Sequence, residues 1–141
     1  MEQTERNVAV VRRLYEEVLC AKNLAVVDEV FAPKVVFGPG RSLRSREEVK
    51  RLFTGSPADP VTRFEVMDAI ASDDRVAARL KVTWTEPVAG PDGVAAPRAM
   101  ELHTMASFRL RDGLIEECQE ILDRLMLGLQ RQAAPAGIER W

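Results

Sequence analysis

The chain has 141 residues, of which 46% are hydrophobic and 30% are charged, and its formal net charge is −2. These values are typical of one globular domain that buries a core without disulfides or a structural metal. Acidic and basic residues are interspersed, so we expect neither a nucleic-acid partner nor a membrane surface as partner. No apolar run approaches the roughly 20 residues of a membrane span, and no signal-peptide pattern occurs, which predicts a cytoplasmic protein.

The first half of the sequence has the pattern of helices. Apolar residues recur every three or four positions over residues 4–22, which predicts an amphipathic helix. Asn23 can cap a short second helix that Pro33 would end. Ser45 and Glu48 have the spacing of a capping box, which predicts that a third helix begins there.

The second half has the pattern of strands. Alternating apolar residues predict one strand over residues 64–70 and a longer one over 76–84, which Pro87 would end. Residues 98–123 have the pattern of two long strands joined by a turn at Asp112-Gly113. A helical turn is expected at 126–131.

This order of elements indicates an α+β fold in which N-terminal helices pack on a curved antiparallel or mixed sheet. The space between the helices and the sheet is the natural place for a pocket in such a fold. We expect a single domain over residues 1–132, followed by a loose C-terminal tail over residues 133–141.

The two cysteines, Cys20 and Cys118, have no pairing or metal-binding pattern. In a cytoplasmic protein such residues are usually buried free thiols. The sequence also has no metal-ligand spacing, no phosphate-binding glycine loop and no Ser-His-Asp order. We therefore expect no metal and no cofactor.

The segment order resembles the SnoaL-like polyketide cyclases of the nuclear transport factor 2-like superfamily. The segments that carry the resemblance are LAVVDEVFAPKVVF (24–37), SREEVKRLF (45–53), IASDDRVAARLKVTW (70–84), FRLRDGLIEE (108–117) and ILDRLMLGLQRQ (121–132). The resemblance covers roughly residues 5–132 and implies a cone-shaped, cystatin-like α+β fold. The superfamily includes cyclases, dehydratases, isomerases, epoxide hydrolases and binding modules, so the resemblance is more specific for fold than for function.

The resemblance also implies particular site residues. In the cyclases a catalytic aspartate commonly lies seven residues after the glycine of the Asp-Gly turn, and that position is Glu120 here. A second characteristic aspartate, before the last helical turn, matches Asp123. The sequence departs from the family in two places, because Gln119 replaces a common tryptophan and Glu86 replaces a common histidine.

The hairpin register decides which carboxylate shares a face with His103, the one histidine of the chain. With a two-residue turn, Met105 lies opposite Glu120, and His103 shares the face of Glu120. A three-residue loop would swap the faces of one strand and bring Asp123 beside His103. We favour the two-residue turn, because it separates apolar from polar side chains better.

A carboxyl group in an apolar pocket has its pKa raised towards neutrality, where imidazole already titrates. We therefore expect Glu120 as general acid/base, with His103 and Asp123 as proton relay or orienting groups. The residues expected to line the pocket are Tyr15, Trp84, Met105, Phe53 and Cys118. Structural roles stay open for several of these residues: His103 could lie on the surface, Asp123 could cap the last helical turn, and Tyr15 and Trp84 could belong to the core.

The leading hypothesis is a cofactor-independent lyase or isomerase that cyclises a hydrophobic natural-product intermediate by an intramolecular aldol step, or isomerises it. One alternative is a non-catalytic small-molecule-binding or dimerisation module of the same fold. Another is an epoxide hydrolase or dehydratase, although the sequence has a single histidine and no inward arginine between two acids. The expected partners are a hydrophobic small molecule and a second copy of the chain, paired through the outer face of the sheet.

Overall fold

The computed structural model describes residues 2–38, 40–54, 62–121 and 124–132. Helix α1 (Gln3–Arg13) continues directly as a π-helix (Leu14–Cys20). A 3-10 turn (Leu24–Val26) then leads into the short helix α2 (Val27–Val30). The remaining helices are α3 (Arg46–Thr54) and α4 (Arg124–Gln132). The strands are β1 (Phe31–Phe37), β2 (Ser42–Ser45), β3 (Arg63–Ser72), β4 (Arg75–Ala89), β5 (Ala95–Arg111) and β6 (Leu114–Ile121). The candidate residue Asp123 and the expected tail over residues 133–141 lie outside the described residues.

The six strands form one mixed sheet in the order β2-β1-β6-β5-β4-β3. All neighbouring strands are antiparallel except β1 and β6, which are parallel. Helix α1 and its π-helical continuation pack across one face of the sheet, which we call the inner face. The core lies between these layers and includes Val11, Leu14, Val18, Leu80, Phe108 and Ile115. The α+β prediction is confirmed, and no helix in the described part of the chain is long and apolar enough to cross a membrane.

The N-terminal helix follows the predicted amphipathic stripe but changes its winding. Val11, Leu14 and Val18 are buried against the sheet. Regular α-helix ends at Arg13, and the next seven residues form a π-helix. Such segments are rare and are frequently found at functional sites, and this one contains Tyr15.

Helix α3 begins with the predicted capping box. The backbone N–H of Glu48 donates to Ser45 Oγ at 3.2 Å, and the backbone N–H of Ser45 donates to Glu48 Oε1 at 3.3 Å. Arg46 then anchors the start of the helix, because its guanidinium donates from two nitrogens to the carbonyl of Phe31 at 2.8 and 2.6 Å. Pro33 lies inside β1 and does not end a helix, since α2 already ends at Val30.

Strand β4 continues through Pro87, so the prediction that this proline ends the strand is wrong. Pairing with β3 stops at Thr83, and pairing of β5 with β6 stops at Met105. Beyond these points β4 and β5 form a two-stranded arm whose outer edges pair with no other described strand, and Pro87 lies opposite Pro97. The backbone of Glu101 at the edge of β5 bonds instead to the side chain of Gln130 on α4. A proline on such an edge removes no ladder hydrogen bond.

The turn between β5 and β6 has the predicted two residues. Arg111 pairs with Leu114 across it. Asp112 and Gly113 both have positive φ, +51° and +75°. This is the backbone of a type I′ turn, for which Asp-Gly is a preferred sequence.

The register changes three residues after the turn, because β6 contains a β-bulge. Leu110 pairs with Ile115 and Arg109 pairs with Glu117, which leaves Glu116 as an extra residue on β6. An extra residue in one strand moves all later side chains of that strand to the opposite face.

The bulge overturns the predicted pairing of the hairpin. Glu120 lies opposite Ala106, and Met105 lies opposite Ile121. Since successive residues of a strand point to opposite faces, Glu120 lies on the inner face, whereas His103 and Met105 lie on the other, outer face. The prediction that His103 and Met105 share a face with Glu120 is therefore wrong.

Candidate functional site

Glu120 lies on the inner face beside a buried hydroxyl. Thr104 is almost fully buried, and its Oγ1 donates a hydrogen bond to Glu120 Oε1 at 2.8 Å. Glu120 pairs with Ala106, so Thr104, two residues along β5, is its diagonal neighbour on the same face. The sheet geometry therefore brings the two side chains together.

The environment of Glu120 changes its acidity. Partial burial raises the pKa of the Glu120 carboxyl, because surrounding protein atoms disfavour the charged form, and the hydrogen bond from Thr104 acts in the opposite direction. The side chain nevertheless keeps substantial contact with solvent. A carboxyl group that is partly enclosed but still reachable can exchange protons with a small molecule.

Tyr15 projects from the π-helix into the same region. Its ring is buried and lies 5.9 Å from the ring of Phe64 and 6.2 Å from that of Phe108, the latter nearly perpendicular. Burial raises the pKa of Tyr15, and the negative charge of Glu120 adds to this effect. The phenol therefore stays protonated and can donate a hydrogen bond at neutral pH.

Cys118 precedes Glu120 by two residues and shares its face. Burial raises the pKa of the Cys118 thiol to about 12, with a further contribution from the charge of Glu120. A thiol that remains protonated is a poor nucleophile, so Cys118 serves as apolar lining.

Both cysteines are free, as expected. The expectation that both are buried is wrong for Cys20, which is exposed and donates from Sγ to the carbonyl of Phe64 at 3.2 Å.

Trp84 and Phe53 lie on the inner side, farther from the carboxylate. Trp84 is half-buried on β4, opposite Met100 of β5. Phe53 projects from α3, and its ring lies 6.0 Å from the rings of both Phe31 and Phe37. Phe53 therefore belongs to an aromatic cluster between α3 and β1.

His103 and Met105 point away from this region. His103 is half exposed on the outer face, with its Nε2 3.8 Å from Glu101 Oε2. Met105 is also exposed there. The sheet separates both side chains from Glu120, so neither contacts it.

An arginine between two acids also lies on the outer face. Arg109 Nε is 3.5 Å from Asp74 Oδ2 and 3.5 Å from Glu117 Oε2. Among the residues that the structure describes, no group of three or more His, Cys, Asp or Glu side chains could hold a metal ion.

Comparison with known proteins places this fold in a family. The model of the SnoaL-like domain matches residues 11–118, which is most of the chain. The chain belongs to the SnoaL-like domain family. No curated protein matches its sequence significantly.

Solved structures share the fold of this SnoaL-like domain. One is a protein assigned as a SnoaL-like polyketide cyclase from Jannaschia sp. CCS1, which is 18% identical, has a TM-score of 0.74, and covers 96% of this chain and 97% of its own. IdmH, assigned as a polyketide cyclase from Streptomyces antibioticus, is 24% identical with a TM-score of 0.74, over 88% of this chain and 96% of its own. The LEH-like epoxide hydrolase of M. tuberculosis is 17% identical with a TM-score of 0.67, over 92% of this chain and 93% of its own. Likeness at these identities shows the fold alone.

The polar centre of this SnoaL-like domain thus consists of Glu120, Thr104 and Tyr15, with Cys118 as lining. Sequence reasoning missed Thr104. Its signal was one hydroxyl within an otherwise apolar strand face, formed by Leu102, Ala106, Phe108 and Leu110. A buried hydroxyl in such a face needs a hydrogen-bond partner, and here the partner is Glu120.

Proposed function

We propose that this SnoaL-like domain is a cofactor-independent acid/base catalyst that cyclises or isomerises a hydrophobic carbonyl compound, with Glu120 as the general base. The observation that supports this proposal most directly is the position of Glu120. It is a carboxyl of raised pKa, reachable from solvent, on a part of the inner face that is formed mostly by apolar side chains. A carboxyl whose charged form is disfavoured by its surroundings is more typical of a functional site than of an ordinary sheet surface.

The proposed reaction is an intramolecular aldol step. The ionised Glu120 carboxylate takes a proton from the carbon next to a carbonyl, and the electrons of the broken C–H bond form an enolate. The enolate carbon then attacks a second carbonyl of the same molecule to form a C–C bond. The oxygen of that second carbonyl receives the proton from Glu120, so the base is regenerated and no oxidant or reductant is needed.

Tyr15 is the proposed donor to the oxyanion. A developing enolate needs a hydrogen-bond donor that is already in place. The pKa of Tyr15 is raised, chiefly by burial and further by the charge of Glu120, so its phenol stays protonated. In this proposal Tyr15 takes the role that the sequence suggested for His103, which lies on the outer face.

The proposed substrate is a hydrophobic natural-product intermediate that carries at least two carbonyl groups. Cys118 and Leu102 give the inner face apolar side chains beside Glu120 and Thr104, and Trp84 and Met100 continue this apolar surface farther along the sheet. The assignment of two similar structures as polyketide cyclases agrees with this substrate class. A cytoplasmic location is part of the proposal, because free thiols are typical of reducing compartments.

A proton-exchange assay tests the role of Glu120 without requiring the natural substrate. Hydrophobic aryl ketones such as 2-tetralone are incubated with the protein in D2O, and loss of the α-proton signal is followed by NMR. We expect Glu120→Gln to lower the protein-dependent exchange rate by about 100-fold or more, because it removes the base. Glu116→Gln is the matched control on the same strand, since its side chain pairs with Arg111 3.6 Å away, and it should exchange at the wild-type rate.

Two outcomes would count against the proposal. A folded Glu120→Gln variant that exchanges at the wild-type rate excludes Glu120 as the base. Ligands that raise the melting temperature of the wild-type protein without any exchange or product would favour the non-catalytic binding module. In the same assay His103→Gln should retain activity, and a large loss would restore the role predicted for His103 from the sequence.

A further inference from the structure

Thr104 occupies an unusual position for a polar residue. It is 2% exposed and is flanked on its own strand face by Leu102 and Ala106. Its Oγ1 donates to Glu120 Oε1 at 2.8 Å. Burying a threonine hydroxyl at this depth stabilises the fold less than burying the methyl group of a valine would. The presence of the hydroxyl therefore requires another explanation.

We propose that Thr104 is a positioning residue that holds Glu120 in one rotamer, with Oε1 engaged and Oε2 directed towards the substrate. This inference rests on the proposed function of Glu120. Within the described part of the chain no hydrogen bond reaches Oε2, so one carboxylate oxygen is fixed and the other is available for the proton. A flexible glutamate has three side-chain torsions, and fixing one oxygen removes much of that freedom.

The Thr104 hydroxyl also affects the balance between the protonated and ionised forms of Glu120. Donation from Thr104 stabilises the ionised carboxylate and lowers the pKa of Glu120, whereas burial raises it. Without the hydroxyl only the effect of burial would remain, and the base would be protonated over a wider range of pH. Thr104 thereby offsets part of the effect of burial and widens the pH range over which the Glu120 carboxyl is ionised.

The pKa of Glu120 can be measured directly in the absence of any substrate. Protein labelled with 13C at the glutamate carboxyls is titrated by NMR, and the Glu120 signal is identified by its absence in Glu120→Gln. We expect Thr104→Val to move the Glu120 midpoint to higher pH, because it keeps the shape of the side chain and removes the donor. Thr104→Ser, which keeps the hydroxyl, should restore the midpoint. Thr83→Val is the control, since Thr83 lies on β4 opposite Glu101 and does not contact Glu120.

Catalysis provides the second measurement. In the exchange assay the acidic limb of the pH–rate profile should move to higher pH in Thr104→Val. The exchange rate on the alkaline plateau should also fall by about tenfold, because Glu120 is no longer held in position. A midpoint in Thr104→Val equal to that of wild type would overturn the inference. If Thr104→Val does not fold, Thr104→Ala makes the same comparison with a smaller side chain.

The inference and the proposed function fail in different ways. An unchanged NMR midpoint in Thr104→Val refutes the role of Thr104, even if Glu120→Gln abolishes exchange. Full exchange activity in Glu120→Gln refutes the proposed function, even if the midpoint responds to Thr104.

Discussion

The protonation of Glu120 affects stability as well as chemistry. Its pKa is raised in the folded state, mainly by burial. The folded chain therefore keeps this proton at pH values where the unfolded chain has lost it. The resulting stabilisation is complete below the ordinary glutamate pKa of about 4.3 and is lost as pH rises through the folded-state pKa.

This linkage predicts a pH-dependent effect of Glu120→Gln on stability. Gln is neutral at all pH values. The free energy of unfolding of the variant should therefore equal that of wild type below the ordinary glutamate pKa and exceed it as the pH rises towards 8. The gain should stay below about 1 kcal/mol, because the side chain is partly exposed and solvent screens its charge. Urea unfolding of both proteins at a series of pH values measures this gain in the free energy of unfolding. A difference between the two proteins that does not change with pH would contradict the raised pKa.

The elements of this fold differ in how far local sequence determines them. The capping box at Ser45 and Glu48 and the turn at Asp112-Gly113 form as predicted, because both depend on residues a few positions apart. Strand β4 continues through Pro87 for a reason that lies elsewhere in the chain. Strand β3 ends its pairing with β4 at Thr83, whereas β5 pairs with β4 as far as Ala89, and these lengths cannot be derived from the sequence of β4 itself.

The bulge at Glu116 could not be predicted from alternation alone. In β6 the apolar residues Ile115, Cys118 and Ile121 are three apart, a spacing that no regular strand can place on one face. The structure buries Ile115, exposes Ile121 and turns Glu120 inward. This arrangement exposes an isoleucine and partly buries a carboxylate, which is a local conflict of the kind expected at a functional site. The family resemblance indicated Glu120 independently of the register.

Deletion of Glu116 tests the bulge. Because Glu116 is the extra residue, its removal should give a regular hairpin in which Cys118 and Glu120 keep their present faces. Titration with a thiol reagent should then find one fast-reacting cysteine per folded chain, the exposed Cys20, in both wild type and the deletion variant. The loss of stability should be about 1 kcal/mol, which is the range of the exposed Glu116–Arg111 ion pair.

Two control measurements complete the experiment. Both cysteines should react in the unfolded protein, which calibrates the assay. A second fast-reacting thiol in the folded deletion variant would mean that Cys118 has moved to the outer face. The pairing described for β5 and β6 would then be wrong.

At the scale of the whole molecule, the sheet has two faces with different composition. Apolar side chains form most of the inner face around the candidate site, and the charged pair Glu86 and Arg98 lies farther along β4 and β5. On the outer face ion pairs join neighbouring strands, for example Arg79 with Asp68 at 3.2 Å and Lys81 with Glu65 at 3.6 Å. Met105 lies opposite Arg79 on one side and Ile121 on the other, and Met105 and Ile121 are 47% and 63% exposed. Exposed apolar side chains within a polar surround are typical of a protein interface.

We propose that two copies of the chain pair through this outer face, with Met105 and Ile121 near the centre of the contact. Ile121→Lys should then produce a monomer, because it places a charge in an apolar contact and brings like charges together across a two-fold axis. Light scattering should give twice 15.8 kDa for wild type and 15.8 kDa for the variant. Leu52→Lys is the control, since Leu52 is similarly exposed but lies on α3, and it should remain a dimer. A wild-type mass of a single chain at micromolar concentration would exclude the proposed interface, and dissociation of both variants would place the contact elsewhere.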